Sequence, residues 1–445
     1  MPNSELIERY RARAPRYTSY PTAPRFAPID KADIDQAIAA STAPISLYVH
    51  LPFCQSLCWY CGCSVEIRRD RTIAGPYVQK VLAEARLLRD RFQGERAIAQ
   101  LSLGGGTPTF LRQDDMRALI QGLDALAPFT PDADRSLEID PRVVDESYLD
   151  TLWELGFRRF SFGVQDFDPE VLEAVHRQQP VALTSGAMKH LHAIGAPVIN
   201  LDLLYGLPVQ DLDRWERTLA QTVELAPTRV ALFHYAHVPW MKPAQKLLEK
   251  YGRPDSLMKA RMFERAEEVF GDAGYVRVGM DHFARPDDPL AIAFRDGTLG
   301  RNFQGYATGV EHDMFGLGVT SIGFFNGVYS QNEKDRAAWE ARVDAGELPI
   351  IRGYRCTDED LLRRRVIMSL MSLFKVRWAD VGTDAAHFAT EVESLRGMEA
   401  DGLLVIREDG VDVTVAGRDF VRNVGTAFDQ YYEDDPTQRR YSQTA

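Results

Sequence analysis

ISLYVHLPFCQSLCWYCGC, residues 45–63, is the stretch on which the fold turns: an apolar run, a proline, then cysteines at 54, 58, 61 and 63. ISLYVH reads as a strand buried on both faces, and Pro52, Gly62 and the pair Trp59-Tyr60 mark a loop behind it. The same grammar repeats outward. QLSL (100–103), SLEID (136–140), RFSFGV (159–164), VINLDLL (198–204) and RVALFHY (229–235) are further strand candidates. Segments of helical character near 73–93, 113–127, 142–155, 181–194 and 211–225 separate them, the pattern of βα units with parallel strands.

Six such units can form a flat sheet or a barrel. Each strand ends in a polar or glycine-rich group: His50, Gly104 to Thr107, Glu138 and Asp140, Gln165, Asp202, and His234 to His237. A barrel gathers all these ends on one rim, whereas a flat sheet gathers only those at its switch point. The expectation is therefore an α/β fold, a partial (β/α)6 TIM-like barrel. An N-terminal arm over 1–40, extended at RYTSYPTAPRF with a short helix at 35–41, precedes a barrel with rim loops over 41–345. The helix near 255–273 and YVRVGMDHFA (275–284) are expected to add one more unit, and the Gly- and Asn-rich stretch 285–330 reads as loops. Residues 346–445 read as a mostly helical domain, with helices near 357–373 and 381–398 and a small antiparallel hairpin turning at Asp409-Gly410.

Bulk properties exclude several classes. A net charge of -12 disfavours a general nucleic-acid binder, because neutralising phosphates takes concentrated Lys and Arg. No long uncharged apolar run and no signal-like apolar core near the start are present, so the cytoplasm is the expected location and no membrane is expected. Five cysteines in 445 residues are too few for a disulfide framework, yet four crowd into ten positions. Crowded thiolates select zinc, copper(I) or an iron–sulfur cluster. A structural zinc site takes four ligands, usually as two separated pairs, and no second C-x2-C pair exists here. Three close thiolates suit three corners of a cubane, leaving one iron open. Three packed core cysteines would share the spacing, and the loop residues around them argue against that. Cys63 is expected to be a packed thiol behind the cluster, and Cys356 an ordinary buried cysteine.

C-x3-C-x2-C beyond a first strand, with Tyr60 before the last cysteine, resembles the radical S-adenosylmethionine superfamily. RYTSYPT (16–22), YVHLPFC (48–54), CGC (61–63), GGGTPT (104–109), GVQDF (163–167), NLDLLYGLP (200–208), GMDHFA (279–284) and NFQGY (302–306) narrow this. Together with FDQYY (428–432) and Tyr441-Ser442, they are similar to the family of oxygen-independent coproporphyrinogen III oxidases. The related haem-chaperone-like proteins share the cluster motif and GGGTP. They typically lack the arm, the fourth cysteine, MDHFA and NFQGY.

The resemblance implies a 4Fe-4S cluster on Cys54, Cys58 and Cys61, its fourth iron open to S-adenosyl-L-methionine, with two S-adenosylmethionines used per turnover. It places Tyr48, Tyr60, Gly105, Gly106, Thr107, Glu138, Gln165, Arg177, Asp202, Ala236 and Ile322 against the cofactor. Reductive cleavage gives a 5'-deoxyadenosyl radical, which takes hydrogen from two propionates of coproporphyrinogen III; decarboxylation leaves the vinyl groups of protoporphyrinogen IX. The implied partners are a low-potential electron donor such as flavodoxin or ferredoxin and an unknown electron acceptor. A monomer is expected. Arg16, Tyr17 and Tyr20, with Arg11, Arg13 and Arg25, are expected to clamp the substrate's carboxylates and macrocycle, and Gln304 and His282 are rim candidates.

Bland readings stand beside these. Glu138, Asp202 and Arg177 would also suit structural ion pairs, and Arg11 and Arg13 a solvated face. The glycine run is expected to expose N–H groups to the cofactor's carboxylate. His234 stands where the family usually has Asn, and H-x2-H with His237 invites a metal that lacks a third ligand. Another radical reaction on a porphyrinoid, such as methyl transfer through Cys63, and a haem-binding accessory protein are the competing functions.

Overall fold

A computed structural model describes residues 4–10, 14–308 and 312–433. Arg11, Arg13, Tyr441 and Ser442 lie outside the described residues. Six parallel strands, β1 (Ile45–Leu51), β2 (Ile98–Gly105), β3 (Phe129–Ile139), β4 (Arg159–Gln165), β5 (Val198–Tyr205) and β6 (Arg229–His234), pair in chain order. Helices α1 (Ala74–Arg89), α2 (Gln113–Leu126), α3 (Glu146–Glu154), α4 (Val181–Ala193) and α5 (Leu212–Glu224) connect them. Asp145 and Asp211 start α3 and α5 by accepting from the N–H groups of Tyr148 and Arg214.

The sheet continues beyond these units. β7 (Val276–Val278) and β8 (His282–Ala284) add antiparallel strands to β6, so 275–284 is a hairpin rather than a seventh parallel unit. The stretch 285–330 is also more ordered than a run of loops. It holds a helix (Pro289–Arg295), a ribbon (Gly300–Asn302 with Gly305–Ala307), β9 (Asp313–Leu317), β10 (Ile322–Phe325) and β11 (Val328–Asn332). β9 pairs in parallel with β1, and β10, β11 and β12 (Ile350–Arg355) extend the far edge antiparallel. The twelve-stranded sheet runs β12-β11-β10-β9-β1-β2-β3-β4-β5-β6-β8-β7 and does not close, as expected of a partial barrel.

The parallel register stacks polar side chains on the inner face. Tyr48, Ser102, Ser136 and Arg159 form one row, and Glu138, Ser161, Asn200 and Arg229 the next. A closed barrel fills such rows with branched apolar side chains. Polar rows leave a cavity instead.

Beyond β12 a helix (Asp358–Leu373) begins with a reciprocal cap between Thr357 and Asp360. The expected hairpin is two strands of three: Lys375–Arg377 joins Gly410–Val413 and Leu404–Arg407. The expected helix at 381–398 is broken into Trp378–Val381, Ala389–Ser394 and Arg396–Ala400. The arm packs on this unit, where Ile7, Tyr17 and Tyr20 join Val366, Leu370, Trp378 and Phe428 in one apolar core. No helix among the described residues is long and apolar enough to cross a membrane.

Candidate active site

The cysteine loop crosses the C-terminal rim of the barrel, tied down strand by strand. Thr107 N–H, beyond β2, donates to the Phe53 carbonyl at 2.8 Å, and Trp59 N–H donates to Val175 O, beyond β4, at 3.0 Å. Trp59 stacks on His176 at 5.1 Å. Beyond β6, Gln245 Nε2 donates to Tyr60 O at 3.0 Å and Lys242 Nζ to Cys63 O at 2.8 Å.

Cys58 is buried, and its sulfur accepts from Arg177 Nη1 at 3.4 Å and Arg142 Nη2 at 3.6 Å. Asp140 holds both guanidiniums, at 3.3 and 2.6 Å. Burial would raise the Asp140 carboxyl, and Arg177 and Arg142 outweigh it, so it stays below the usual range. Cys54, half-buried with Thr107 Oγ1 at 3.5 Å, is pushed up to about 11 by burial. Cys61 falls to about 6, through the hydrogen bond of the Cys63 thiol first and then the Cys63 N–H and the charge of Lys242, against burial. Cys63 itself is exposed, not packed behind the loop, and it touches Cys61. Among the described residues no group of His, Cys, Asp and Glu is set to hold a single metal ion. The loop offers thiols alone, the soft donor set that suits iron–sulfur chemistry.

Beneath lies a cavity of about 420 Å³ lined by both polar rows of the barrel. Tyr48, Glu138, Asp202, Gln304 and Ile322 all meet there. Gly105 and Gly106 are packed where a Cβ would collide, 2.5 Å from the His50 ring and 2.6 Å from Pro52, and at Gly104 one would press on Glu138 and Tyr48 at 3.1 Å. Gly105 also has φ +112. The N–H groups of Gly105, Gly106 and Thr107 donate within the protein, to Glu138, Leu51 O and Phe53 O.

Acceptors dominate the upper wall. Asp202, bonded by Asn200 Nδ2 at 2.7 Å and by Ser161, is pushed up to about 7 by burial and then by Glu138. Burial raises Glu138 too. His50 sits between Ser64 O, 3.0 Å from Nε2, and Tyr48 Oη, 3.1 Å from Nδ1. A carbonyl only accepts, and burial keeps the imidazole neutral, so Nε2 carries the proton. Nδ1 then accepts from the Tyr48 hydroxyl, whose lone pairs remain for the cavity. Lower down, Gln304 Nε2 and Arg301 Nε are buried without a partner.

A search of known proteins agrees with this geometry. Residues 48–221 match the Radical SAM superfamily model. The chain is 39% identical to oxygen-independent coproporphyrinogen III oxidase of Synechocystis sp. over 99% of its length and 97% of the relative's. It is 40% identical to that of Pseudomonas aeruginosa over 96% of each chain. The chain belongs to the oxygen-independent coproporphyrinogen III oxidase family. A solved structure of the Escherichia coli coproporphyrinogen III oxidase, described as a radical SAM enzyme, superposes with a TM-score of 0.92 at 37% identity, covering 97% of this chain and 99% of that one.

In this member of the oxidase family the site residues fall into groups. Arg177 and Gln165 sit by the loop, Gln165 (φ +74) doubling back so that a Cβ on Gly163 would lie 2.9 Å from its Nε2. Ala236 O accepts from the same Gln245 that holds Tyr60. His282, bonded to Asp281 at 2.8 Å, lines the cavity. Arg16 pairs with Asp281 at 3.0 Å and lies 5.7 Å from the Phe233 ring on the cavity wall. Tyr17 and Tyr20 are fully buried in the second core, bonded to Asp429 Oδ2 and the Gln430 N–H. Arg25 covers the Tyr431 ring at 4.4 Å. His234 lies against Tyr205 with the rings tilted by 42° and 5.5 Å apart, whereas His237 bonds Tyr235 and Glu249. The sequence reading missed Arg142 and Arg301. Arg142 lies two residues after Asp140, and Arg301 immediately precedes NFQGY.

Proposed function

We propose that this chain converts coproporphyrinogen III to protoporphyrinogen IX without oxygen, cleaving two S-adenosylmethionines per product. It works in the cytoplasm as a monomer supplied by a low-potential electron carrier such as flavodoxin or ferredoxin. The observation that carries the reading is the meeting of Tyr48, Glu138, Asp202, Gln304 and Ile322 in one cavity beneath an all-thiol loop. Each propionate loses a hydrogen atom, an electron and CO2 to become a vinyl group.

Cys54, Cys58 and Cys61 hold a 4Fe-4S cluster, with Arg142 and Arg177 offsetting thiolate charge at Cys58. When bound, the cluster and S-adenosylmethionine supply the carbon radical that takes the hydrogen atom. Tyr48, Glu138 and Asp202 offer acceptors suited to the cofactor's ammonium and ribose hydroxyls. Gly105, Gly106 and Thr107 keep the wall thin, and Tyr60, Gln165, Arg177, Ala236 and Ile322 complete the contacts. The unpartnered donors on Gln304 and Arg301 suit substrate carboxylates. Arg16, from the arm, lies 5.7 Å from Phe233 of that wall while lining a neighbouring cavity with Asp281, from which it is placed to meet a substrate that spans the two. Tyr17 and Tyr20 hold that arm in place, which supports the clamp indirectly.

The test is metal analysis with electron paramagnetic resonance. The anaerobic chain should carry about four irons and four sulfides and give a reduced-cluster signal that S-adenosylmethionine perturbs. Cys54→Ala, Cys58→Ala and Cys61→Ala should each abolish it, and Cys63→Ala should not. Zinc in place of iron, or a cluster that survives Cys58→Ala, would contradict the assignment.

A further inference from the structure

Four of the nine exposed large apolar side chains among the described residues belong to two segments that touch the cysteine loop. Trp240 (42% exposed), Met241 (60%) and Leu247 (49%) lie in residues 238–253, and Ile67 (38%) pairs with Cys54 in a short parallel bridge. Cations crowd residues 238–253, namely Lys242, Lys246, Lys250 and Arg253, whereas by Ile67 the charges balance, with Arg68 paired to Glu66 at 3.2 Å and Asp70 following Arg69. Of the nearby acids, Glu249 bonds His237, Asp255 caps the helix Ser256–Asp272, and Glu66 is paired with Arg336. A chain of net charge -12 thus presents a basic, apolar ledge beside its cysteine loop.

The ledge is tied to the loop by hydrogen bonds and packing. Gln245, 1% exposed, accepts from Val238 N–H at 2.6 Å and donates to Tyr60 O. Leu248 is buried with Val171, Val175 and Tyr235. Lys242 reaches the carbonyl of Cys63, and Lys250 lies 5.5 Å from the Trp59 ring. A protein seated here would sit within one or two residues of Cys61.

We propose that this ledge is the docking surface for an acidic one-electron carrier protein. The inference rests on the cysteine loop holding a redox cluster. The carrier is oxidised by one electron and the cluster reduced by one, with no atom transferred. Lysines steer the acidic partner, and the exposed apolar side chains of the same segment supply a desolvated contact.

The test uses the reconstituted chain with a reduced flavodoxin as the probe, in parallel with dithionite. Affinity is read by isothermal titration across a salt series, and cluster reduction by stopped-flow absorbance. Lys246→Glu combined with Lys250→Glu should weaken binding and slow flavodoxin-driven reduction about tenfold or more at low salt, and should flatten the salt dependence. Dithionite-driven reduction should stay at the parent rate, as should both rates in the control Lys375→Glu. Unchanged flavodoxin affinity and rate would overturn the proposal. So would a parent dimer, seen by light scattering, that the same reversal splits, because the ledge would then join two copies. If the reversal also slows dithionite, Met241→Ser becomes the deciding variant, with the same two readings. Failure of the chain to make tetrapyrrole product would leave these electron-transfer readings intact and would count against the substrate alone.

Discussion

Glu84 and Glu138 are both carboxylates held in the barrel, and the protein treats them in opposite ways. Glu84, on α1, is 1% exposed and sealed: it accepts from Gly318 N–H at 2.8 Å, Trp339 Nε1 at 3.0 Å and Asn332 Nδ2 at 2.5 Å. Glu138, on the cavity side and exposed to it, accepts from Gly105 N–H at 3.2 Å, and the same cavity holds the unbonded Gln304 Nε2 and Arg301 Nε. Every donor around Glu84 is used, and that side of the sheet is scaffold. Acceptors around Glu138 and Asp202 exceed the donors the protein offers, and with Glu138 open to the cavity the spare acceptors are available to water or to a ligand.

Removing each side chain separates the two regimes. Glu84→Ala leaves three buried donors without an acceptor and should cost about 3–5 kcal/mol of stability, read by denaturant unfolding. Stability within about 1 kcal/mol of the parent would dissolve the contrast. Glu138→Gln keeps an acceptor and removes a charge, so the unfolding midpoint should hold while S-adenosylmethionine cleavage falls about a hundredfold, roughly 2.7 kcal/mol. A large loss of stability with normal cleavage would make Glu138 scaffold too.

Asp202 sharpens the comparison through pH. Its carboxyl, raised from 3.8 to about 7 in the folded chain, binds a proton there that the unfolded chain has released. Stability therefore falls as pH rises from about 4 to about 7 and is level above. Asp202→Asn should remove that slope and stabilise the cofactor-free protein at pH 8 by roughly 1–3 kcal/mol, allowing for water in the cavity, with the gain fading toward pH 4. Parallel stability profiles for parent and variant would show that Asp202 carries no such strain. The smallest effect belongs to the arm. Tyr17→Phe loses one hydrogen bond to Asp429 and should cost about 1 kcal/mol, with cofactor cleavage unaltered. A selective loss of substrate binding would return Tyr17 to the carboxylate clamp.

The six parallel strands were legible because each carries a short apolar-rich run bounded by polar or glycine punctuation. Glu138 and Asp202 were legible for the same reason inverted, as carboxylates inside such runs. β9 to β11 and the ribbon before them were not. They are three to five residues long, rich in Gly and Asn, and gain their order from pairing with β1 and with one another rather than from local pattern. Lys375–Arg377 escaped notice through the same shortness. At the site, cysteine spacing announced the loop, but nothing in a lone arginine announces a partner across the fold, so Arg142 and Arg301 stayed hidden. The glycine run suggested a close backbone approach to a ligand, whereas its crowding against His50 and Pro52 and the destination of its N–H groups required the positions of the surrounding chain.

The most direct test of the central claim is an anaerobic assay with the reconstituted cluster, dithionite, S-adenosylmethionine and coproporphyrinogen III, quantified by mass spectrometry. Protoporphyrinogen IX should accumulate with about two 5'-deoxyadenosines for each product, and Cys58→Ala should yield neither. Cofactor cleavage with the tetrapyrrole's propionates intact, from a chain whose cluster is confirmed spectroscopically, would contradict the account.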